Sequence, residues 1–212
     1  MLRPRIVAVG GFSSDVGKTT LVCRILESLP GSEAIKTTRG HYRSCGKDPH
    51  ACCVSHLLGD EPVIRSGREE TYEVGKDTGR YWDAGATNVH WIIATDSQVE
   101  QGINKALKRV QAERVIIEGN SFTQFVDVDY LVMVASSTDL KVKASAKRAL
   151  TKASALYLSD DSHQTDLALE SLNMWAGKSA VKSLLDGLPV YTQDSFPLLL
   201  KDVRESLALA LT

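Results

Sequence analysis

The amino-acid sequence predicts an α/β fold with a mostly parallel central sheet and helices on both faces. Apolar segments typical of strands alternate along the chain with segments of helical periodicity. The first strand runs directly into a glycine-rich turn and a helix, an arrangement typical of such folds. The chain has 212 residues, of which 43% are hydrophobic, so it can bury one core. We predict a single domain over residues 1–212.

Composition excludes several classes of protein. The formal net charge is −1, which provides no general basic field for nucleic acid. The sequence contains no apolar run of 18 residues and no secretory signal at its start, so we expect no membrane association and a cytoplasmic location. Four cysteines in that compartment are expected to serve in packing, metal binding or redox chemistry, not in disulfides.

The turn after the first strand has the composition of a phosphate-binding loop. It reads GGFSSDVGKTT from Gly10 and follows the apolar run at residues 6–9. Backbone N–H groups of such a loop bind phosphate oxygens, and the following helix N-terminus favours negative charge. Lys18 would neutralise the β- and γ-phosphates, and the Thr19 hydroxyl would coordinate Mg²⁺. The predicted nucleotide-binding residues are Gly11, Ser13, Ser14, Asp15, Val16, Gly17, Lys18, Thr19 and Thr20.

The other elements follow in order. Apolar residues at helical spacing predict a first helix from the loop to about residue 29, and a second strand is predicted at 34–37. Residues 38–76 are polar and irregular, and a segment of this length within a domain is usually functional. Later strands are predicted at 89–93, 114–118, 130–135, 155–158 and 190–191. Helices are predicted at 75–84, 98–111, 140–152, 165–176 and 197–210.

Acidic and basic residues at strand ends could complete a phosphate site. Glu118 ends an apolar strand, where a metal or hydrogen-bonded substrate would compensate its charge, although a structural ion pair is the alternative. Asp77 is a second candidate Mg²⁺ ligand or a helix N-cap. Asp15 could orient an attacking group, or simply form a turn. Lys36 could stabilise charge in phosphoryl transfer or hold an acidic substrate. We therefore predict Lys18, Asp15 and Lys36 as catalytic residues.

Cysteine and histidine residues are concentrated between residues 41 and 56. Short spacings of such ligands suit Zn²⁺ or an iron–sulfur cluster, although the spacing is not that of a standard zinc finger. A loop with packed cysteines and a redox pair are the alternatives. The candidate metal ligands are Cys45, His50, Cys52, Cys53 and His56.

Two further groups bear on the substrate. The irregular segment contains arginines that could bind an anionic substrate or be solvated, namely Arg39, Arg43, Arg65 and Arg68. Trp82 and Trp91 could stack on a ligand ring or pack in the core. No Asn-Lys-x-Asp run marks guanine recognition. An aspartate of Ser159-Asp160-Asp161 could contact a guanine edge, or the triplet could cap the following helix. ATP and GTP therefore both remain candidates.

Four segments together resemble one group of P-loop proteins. They are the phosphate loop, Ala34-Ile35-Lys36-Thr37-Thr38, Gly75-Lys76-Asp77-Thr78 continuing to Ala84-Gly85-Ala86, and Ile116-Ile117-Glu118-Gly119. This combination resembles the MobB-type proteins, accessory nucleotide-binding factors in synthesis of molybdopterin guanine dinucleotide. The resemblance implies a P-loop NTPase fold, a cofactor-biosynthesis role with a partner protein, and a homodimer.

The phosphate loop itself is similar to that of dethiobiotin synthetase. Five residues separate Gly11 from Gly17, whereas four are usual. This second resemblance implies an ATP-dependent ligase and, like the first, supports Thr19 and Glu118 as Mg²⁺ ligands. We thus expect Mg-dependent nucleotide binding and hydrolysis, with a small anionic substrate. The alternatives are the ligase and a nucleotide-dependent adaptor or metal carrier with little turnover.

Overall fold

The structure is a computed structural model, which describes residues 3–40, 57–137, 142–161, 164–179 and 181–209. Eight strands form one sheet in the spatial order β3-β4-β2-β5-β1-β6-β7-β8, and only the pairing of β3 with β4 is antiparallel among the described strands. The strands are β1 (Arg5–Gly11), β2 (Glu33–Arg39), β3 (Val63–Ser66), β4 (Val89–Ala94), β5 (Arg114–Glu118), β6 (Tyr130–Ala135), β7 (Ala155–Leu158) and β8 (Val190–Tyr191). The predicted fold class is confirmed.

Helices cover both faces of the sheet. The α-helices are α1 (Lys18–Ser28), α2 (Arg68–Thr71), α3 (Asp77–Asp83), α4 (Val99–Leu107), α5 (Ala144–Leu150), α6 (Thr165–Lys178), α7 (Lys182–Leu185) and α8 (Phe196–Leu209). Side chains of α1, α3 and α8 share one apolar core with the sheet, and side chains of α4, α5 and α6 share the other. The sheet is therefore the middle layer of three.

The central strands are continuous apolar runs because both of their faces are covered. In β1 the side chains of Ile6 and Ala8 enter one core, and those of Val7 and Val9 enter the other. The last helix shows the one-sided pattern instead. Leu199, Val203 and Leu207 of α8 are buried, so its apolar face packs in the core.

The structure differs from the sequence prediction mainly in the segment 38–76. Its described part contains β3 and α2, which the prediction treated as irregular. Each has four residues, too few to establish a periodicity, and the β3 side chains are all half-buried at the sheet edge. The short helix α7 was missed for the same reason. The candidate metal ligands Cys45, His50, Cys52, Cys53 and His56 lie outside the described residues.

Helix limits also differ from the prediction. Helix α4 begins at Val99 because Asp96–Gln98 form a 3-10 turn, which Thr95 and Gln98 close with a reciprocal capping box. Helix α5 begins at Ala144 instead of residue 140. No helix in the described part of the chain is both long enough and apolar enough to cross a lipid bilayer.

Candidate functional site

The phosphate loop joins β1 to α1 at the carboxyl edge of the sheet. Strand β1 ends at Gly11, and helix α1 begins at Lys18. Gly17 has φ +83°, and a Cβ there would lie 2.9 Å from the Cβ of Ser159, so the position requires glycine for two reasons. Asp15 is the non-glycine residue with positive φ (+55°) in the described chain and is exposed. The loop thus has the tight backbone and the helix N-terminus that phosphate binding needs.

Asn120 fixes the start of this loop. Its Oδ1 accepts a hydrogen bond from the backbone N–H of Gly11 at 2.9 Å, and its Nδ2 donates to the carbonyl of Gly11 at 2.8 Å. The side-chain amide therefore acts like a further residue of β5 paired with β1. Gly10 must lack a side chain here, since a Cβ would lie 2.6 Å from Oδ1 of Asn120. Sequence reasoning missed Asn120, because no local pattern marks an amide that pairs with a distant strand.

Two lysines contact the loop from different elements. Lys18 Nζ donates to the carbonyl of Ser13 at 3.1 Å, and burial lowers the pKa of Lys18, partly opposed by the charge of Glu118. Lys143, which precedes α5, donates from its backbone N–H to the carbonyl of Phe12 at 3.0 Å, and its Nζ donates to Ser14 Oγ at 2.8 Å. The sequence analysis did not identify Lys143, since the approach of α5 to the loop is a tertiary contact.

A buried carboxylate, Glu118, lies beside the loop. Only 2% of Glu118 is exposed, so its charge needs compensation. Its Oε2 accepts a hydrogen bond from Thr19 Oγ1 at 2.9 Å and another from the Tyr81 hydroxyl, and its Oε1 contacts Lys36 Nζ. Lys36 Nζ also lies 2.7 Å from Asp77 Oδ2. We call Thr19, Lys36, Asp77 and Glu118 the acidic cluster.

Charge within the acidic cluster favours the ionised form of Asp77. Burial acts to raise the pKa of Asp77, but the charge of Lys36 and hydrogen bonds from Lys36 and Thr19 outweigh it, so the pKa is lowered. Tyr81 is fully buried, and both burial and the neighbouring Glu118 raise its pKa well above the usual value. The hydroxyl of Tyr81 therefore stays a donor to Glu118. Sequence reasoning missed Tyr81 as a site residue, because its position in α3 is equally typical of core packing.

Sheet register explains why these distant residues meet. Val9 pairs with Glu118, Glu118 with Lys36, Lys36 with Trp91, and Trp91 with Arg65. Directly paired residues on neighbouring strands place their side chains on the same face. Glu118, Lys36, Trp91 and Arg65 thus form one row across β5, β2, β4 and β3, which we call the cross-strand row.

A cleft of about 1100 Å³ opens along this edge. At one end it is lined by the phosphate loop and the acidic cluster, and at the other by residues of β2, β3 and β4 together with Tyr72 and Glu73. Trp91 lines the second end, where its Nε1 donates to Thr38 Oγ1 at 2.9 Å and the Arg65 guanidinium lies 5.7 Å from its ring centre. The cleft is therefore longer than the phosphate site alone.

The structure brings most predicted site residues to the cleft. Gly11, Ser13, Ser14, Asp15, Gly17, Lys18, Thr19, Thr20, Lys36, Asp77 and Glu118 all line it. Val16 does not; its side chain is buried in the core beside α1. Thr20 Oγ1 accepts a hydrogen bond from Arg80 at 3.1 Å. Asp77 is the first residue of α3, and no side-chain cap bond is made at that helix start, so the N-cap alternative is wrong.

Asp160 is occupied by internal hydrogen bonds. Its Oδ1 accepts from Ser136 Oγ at 3.0 Å and from Ser137 Oγ at 2.9 Å, and its Oδ2 accepts from Ser137 N–H at 2.8 Å. These bonds join the ends of β6 and β7. Contact of Asp160 with a nucleotide base would require them to be exchanged, so the structure gives it a structural role.

The described residues contain no cluster of histidine, cysteine and carboxylate side chains that could hold a metal ion. No group of three or more histidine, cysteine, aspartate or glutamate side chains suited to a metal occurs there. Cys23 is half-buried, its Sγ lies 3.6 Å from the carbonyl oxygen of Arg80, and burial raises its pKa to about 11. Its thiol therefore packs at the rim of the core, as its position in the first helix predicts.

Comparisons with known proteins support the fold. No protein-family model matches the chain, and no curated protein sequence does. The structure of LpxK from Aquifex aeolicus in complex with ATP is similar over 90% of this chain and 54% of its own, with a TM-score of 0.50 and 17% identity. HypB from Helicobacter pylori, in complex with nickel, is similar over 97% of this chain and 89% of its own, with a TM-score of 0.50 and 13% identity.

These likenesses concern the fold alone, because the identities are low. This chain spans about half the length of LpxK. Together with the parallel sheet and the loop between β1 and α1, they show an α/β P-loop NTPase fold. The resemblance to MobB-type proteins is not confirmed and stays a prediction.

Proposed function

We propose that this protein binds a magnesium nucleoside triphosphate, ATP or GTP, and catalyses attack on its terminal phosphate. The observation that carries the proposal is the contact of Thr19 with the buried Glu118, directly beside Lys18 and the phosphate loop. A hydroxyl at the start of a helix and a carboxylate at a strand end are the usual protein contributions to a Mg²⁺ site in this fold. The nucleotide phosphates would lie on residues 11–20.

The acidic cluster has the donors that Mg²⁺ prefers. Thr19, Glu118 and Asp77 offer hydroxyl and carboxylate oxygens and no nitrogen or sulfur, which suits a hard divalent cation. When bound, the metal would neutralise charge on the phosphates. Asp77 is half-exposed to the cleft, so it could bind the metal directly or through a water molecule in place of its ion pair with Lys36.

Three lysines surround the proposed phosphate position. Lys18 and Lys143 contact the loop, and Lys36 lies in the acidic cluster. Positive groups held in place before the reaction stabilise the charge that develops in phosphoryl transfer. We assign this role to Lys18 and Lys36, and assign Asp15, at the exposed tip of the loop, to orienting the attacking group.

The second end of the cleft would hold the acceptor. Trp91 and Arg65 present aromatic and cationic surface there, and Arg65 has no carboxylate partner within the described residues. A small anionic substrate with a planar or apolar portion fits these groups. The MobB resemblance adds the finer proposal that the reaction serves cofactor biosynthesis, such as that of molybdopterin guanine dinucleotide, as a homodimer with a partner protein.

Two other functions are proposed as alternatives, one from the phosphate loop and one from the cysteine- and histidine-rich segment. The dethiobiotin-synthetase-like loop favours an ATP-dependent ligase, in which the anionic acceptor is activated by phosphorylation. The cysteine- and histidine-rich residues 41–56 favour a nucleotide-dependent adaptor or metal carrier. Rapid turnover with a small acid would support the ligase, whereas slow hydrolysis stimulated by a partner protein would support the adaptor.

Substitution of Lys18 tests nucleotide binding. We expect Lys18→Ala to weaken binding of Mg-ATP and Mg-GTP at least about 100-fold, because it removes a phosphate-neutralising charge. Calorimetric titration with both nucleotides gives the affinities, and circular dichroism confirms folding. Lys201→Ala removes an exposed lysine of α8 and is the matched control. Unchanged affinity of folded Lys18→Ala would refute the proposed site.

Substitution of Glu118 tests the metal site. Glu118→Gln keeps the shape of the side chain but removes the charge, so we expect it to reduce Mg²⁺-dependent hydrolysis more than nucleotide binding in the presence of EDTA. Steady-state hydrolysis and calorimetry separate the two effects. Equal losses in both would show that Glu118 is not a metal ligand.

A further inference from the structure

We propose that Lys36 is a resident cation of the magnesium site, which holds the two carboxylates together until the nucleotide brings the metal. This inference rests on the proposed function. It adds that the Lys36 ion pairs and the metal ion exclude one another, so that metal binding depends on nucleotide binding.

The first argument for this role is the position of the Lys36 ammonium group. Lys36 Nζ contacts Glu118 Oε1 and lies 2.7 Å from Asp77 Oδ2, so it lies between the two carboxylates proposed as metal ligands. The third proposed ligand, Thr19 Oγ1, is 2.9 Å from the other oxygen of Glu118 and also interacts with Asp77. One cationic group therefore lies between the two carboxylates, and the Thr19 hydroxyl interacts with both of them.

The second argument is that Glu118 and Lys36 are both largely buried. The side chains of Glu118 and Lys36 are exposed by only 3% and 15%. A buried carboxylate without a cation is costly, so the ligand-free site needs a positive charge of its own. Lys36 provides it from β2, where its direct pairing with Glu118 of β5 fixes the distance between the two backbones. A free metal ion would have to displace this tethered charge, whose local concentration is high.

Charge balance gives the third step. Two carboxylates and one lysine have a summed charge of −1, which is a weak attraction for a divalent cation. A bound triphosphate adds several negative charges beside the cluster, and it also offers Lys36 an alternative anionic partner in the same cleft. Nucleotide binding should therefore shift the preference of the carboxylates from the ammonium group to the metal.

The test is Mn²⁺ binding to the full chain without nucleotide, followed by electron paramagnetic resonance. We expect Lys36→Met to bind Mn²⁺ at least about tenfold more tightly than the wild type, because it leaves both carboxylates without their competitor. Lys36→Arg keeps a cation and should bind as weakly as the wild type. Lys76→Met removes an exposed lysine next to Asp77 and should change the affinity less than about threefold.

A second measurement adds a non-hydrolysable triphosphate. In the wild type we expect the nucleotide to strengthen Mn²⁺ binding greatly, and in Lys36→Met we expect this coupling to be smaller by about the factor that the variant gained without nucleotide. Folding is checked by circular dichroism and thermal unfolding. If Lys36→Met does not fold, Lys36→Gln replaces it, because glutamine can hydrogen-bond both carboxylates without a charge.

The outcomes separate this inference from the proposed function. If the wild type binds Mn²⁺ with nucleotide but folded Lys36→Met or Lys36→Gln shows no gain without it, the resident-cation role is refuted and the nucleotide site stands. An equal gain in Lys76→Met also refutes it, since the effect would then be general electrostatics. If neither protein binds Mn²⁺ with nucleotide, both proposals fail.

Discussion

At the scale of single residues, the candidate site depends on side chains that substitute for backbone. The side chain of Asn120 makes two hydrogen bonds to the backbone of Gly11, and so extends the pairing of β5 with β1. Asn120 itself lies beyond the end of β5. Gly10 leaves room for that amide, and Gly11 leaves room for the side chains of Val16 and Lys18. The geometry of the phosphate loop is thus set from outside the loop.

We expect Asn120→Ala to weaken nucleotide binding about tenfold and to lower the free energy of unfolding by about 1–2 kcal/mol, because Gly11 loses two partners. Calorimetry and urea denaturation measure the two effects. Gln124→Ala is the control, since its exposed amide lies in the 3-10 turn Ser121–Gln124, which directly follows Asn120, and bonds only locally to Ser121 in the described structure. Nucleotide affinity that is unchanged in Asn120→Ala would show that the loop holds its shape without the amide.

At the scale of elements, a buried polar network joins neighbouring strands at the end of the sheet opposite the cleft. Glu33 at the start of β2 accepts hydrogen bonds from the N–H groups of Gln111 (2.8 Å) and Ala112 (2.9 Å), which precede β5. Its other oxygen lies 2.7 Å from His90 Nε2 of β4, and His90 Nδ1 lies 2.8 Å from Ser66 Oγ of β3. Four segments are thereby held in register at the end of the sheet away from the cleft.

This network predicts a pH dependence of stability. Burial acts to raise the pKa of Glu33, but hydrogen bonds with His90 and with two backbone N–H groups outweigh it, so the pKa is below its usual value. A carboxyl with a lowered pKa in the folded state stabilises above its unfolded pKa, about 4.3, and that contribution is lost as the pH falls through the folded value.

We therefore expect the stability advantage of the wild type over Glu33→Gln to be complete at neutral pH and to shrink below about pH 4. Urea denaturation of both proteins from pH 7 down to about pH 3 would measure this difference in the free energy of unfolding. Glu69→Gln, at an exposed position of α2, should show no such trend. A difference between wild type and Glu33→Gln that is constant over this range would contradict the assigned cause.

At the scale of the whole molecule, the sheet order places β5 between β1 and β2, and this arrangement assembles the cleft. The cysteine- and histidine-rich residues follow β2, whose last residues Thr38 and Arg39 line the same cleft. A zinc ion or iron–sulfur cluster held by that segment would therefore be connected to the acceptor end by a few residues.

We expect protein purified anaerobically to contain about one equivalent of zinc, or iron and sulfide in cluster proportions, by elemental analysis. Replacing Cys45, Cys52 and Cys53 together by serine should remove the metal, because thiolates are the strongest ligands available there. Cys23→Ser, which changes a thiol packed against α3, should retain it. Substoichiometric zinc and iron in the wild type would exclude the metal site.

Comparison with the sequence shows which kinds of signal were sufficient. The strand-turn-helix pattern at residues 6–20 predicted the phosphate loop, and apolar strands predicted β5, β6, β7 and β8 at the residues where they occur. The strand β3 was missed, because its four half-buried residues have little apolar periodicity and pair at an edge.

The sequence by itself determined the fold class and the chemistry available at the phosphate loop, because local periodicity and the Gly-Lys-Thr motif depend only on neighbouring residues. It also named Lys36, Asp77 and Glu118 separately. Only the tertiary structure decided that Lys36 lies between the two carboxylates, that Asn120 fixes the loop, and that Asp160 serves its own strand ends. Those outcomes depend on strand order and register, which bring together residues from 23 to 109 positions apart, and no local pattern records such contacts.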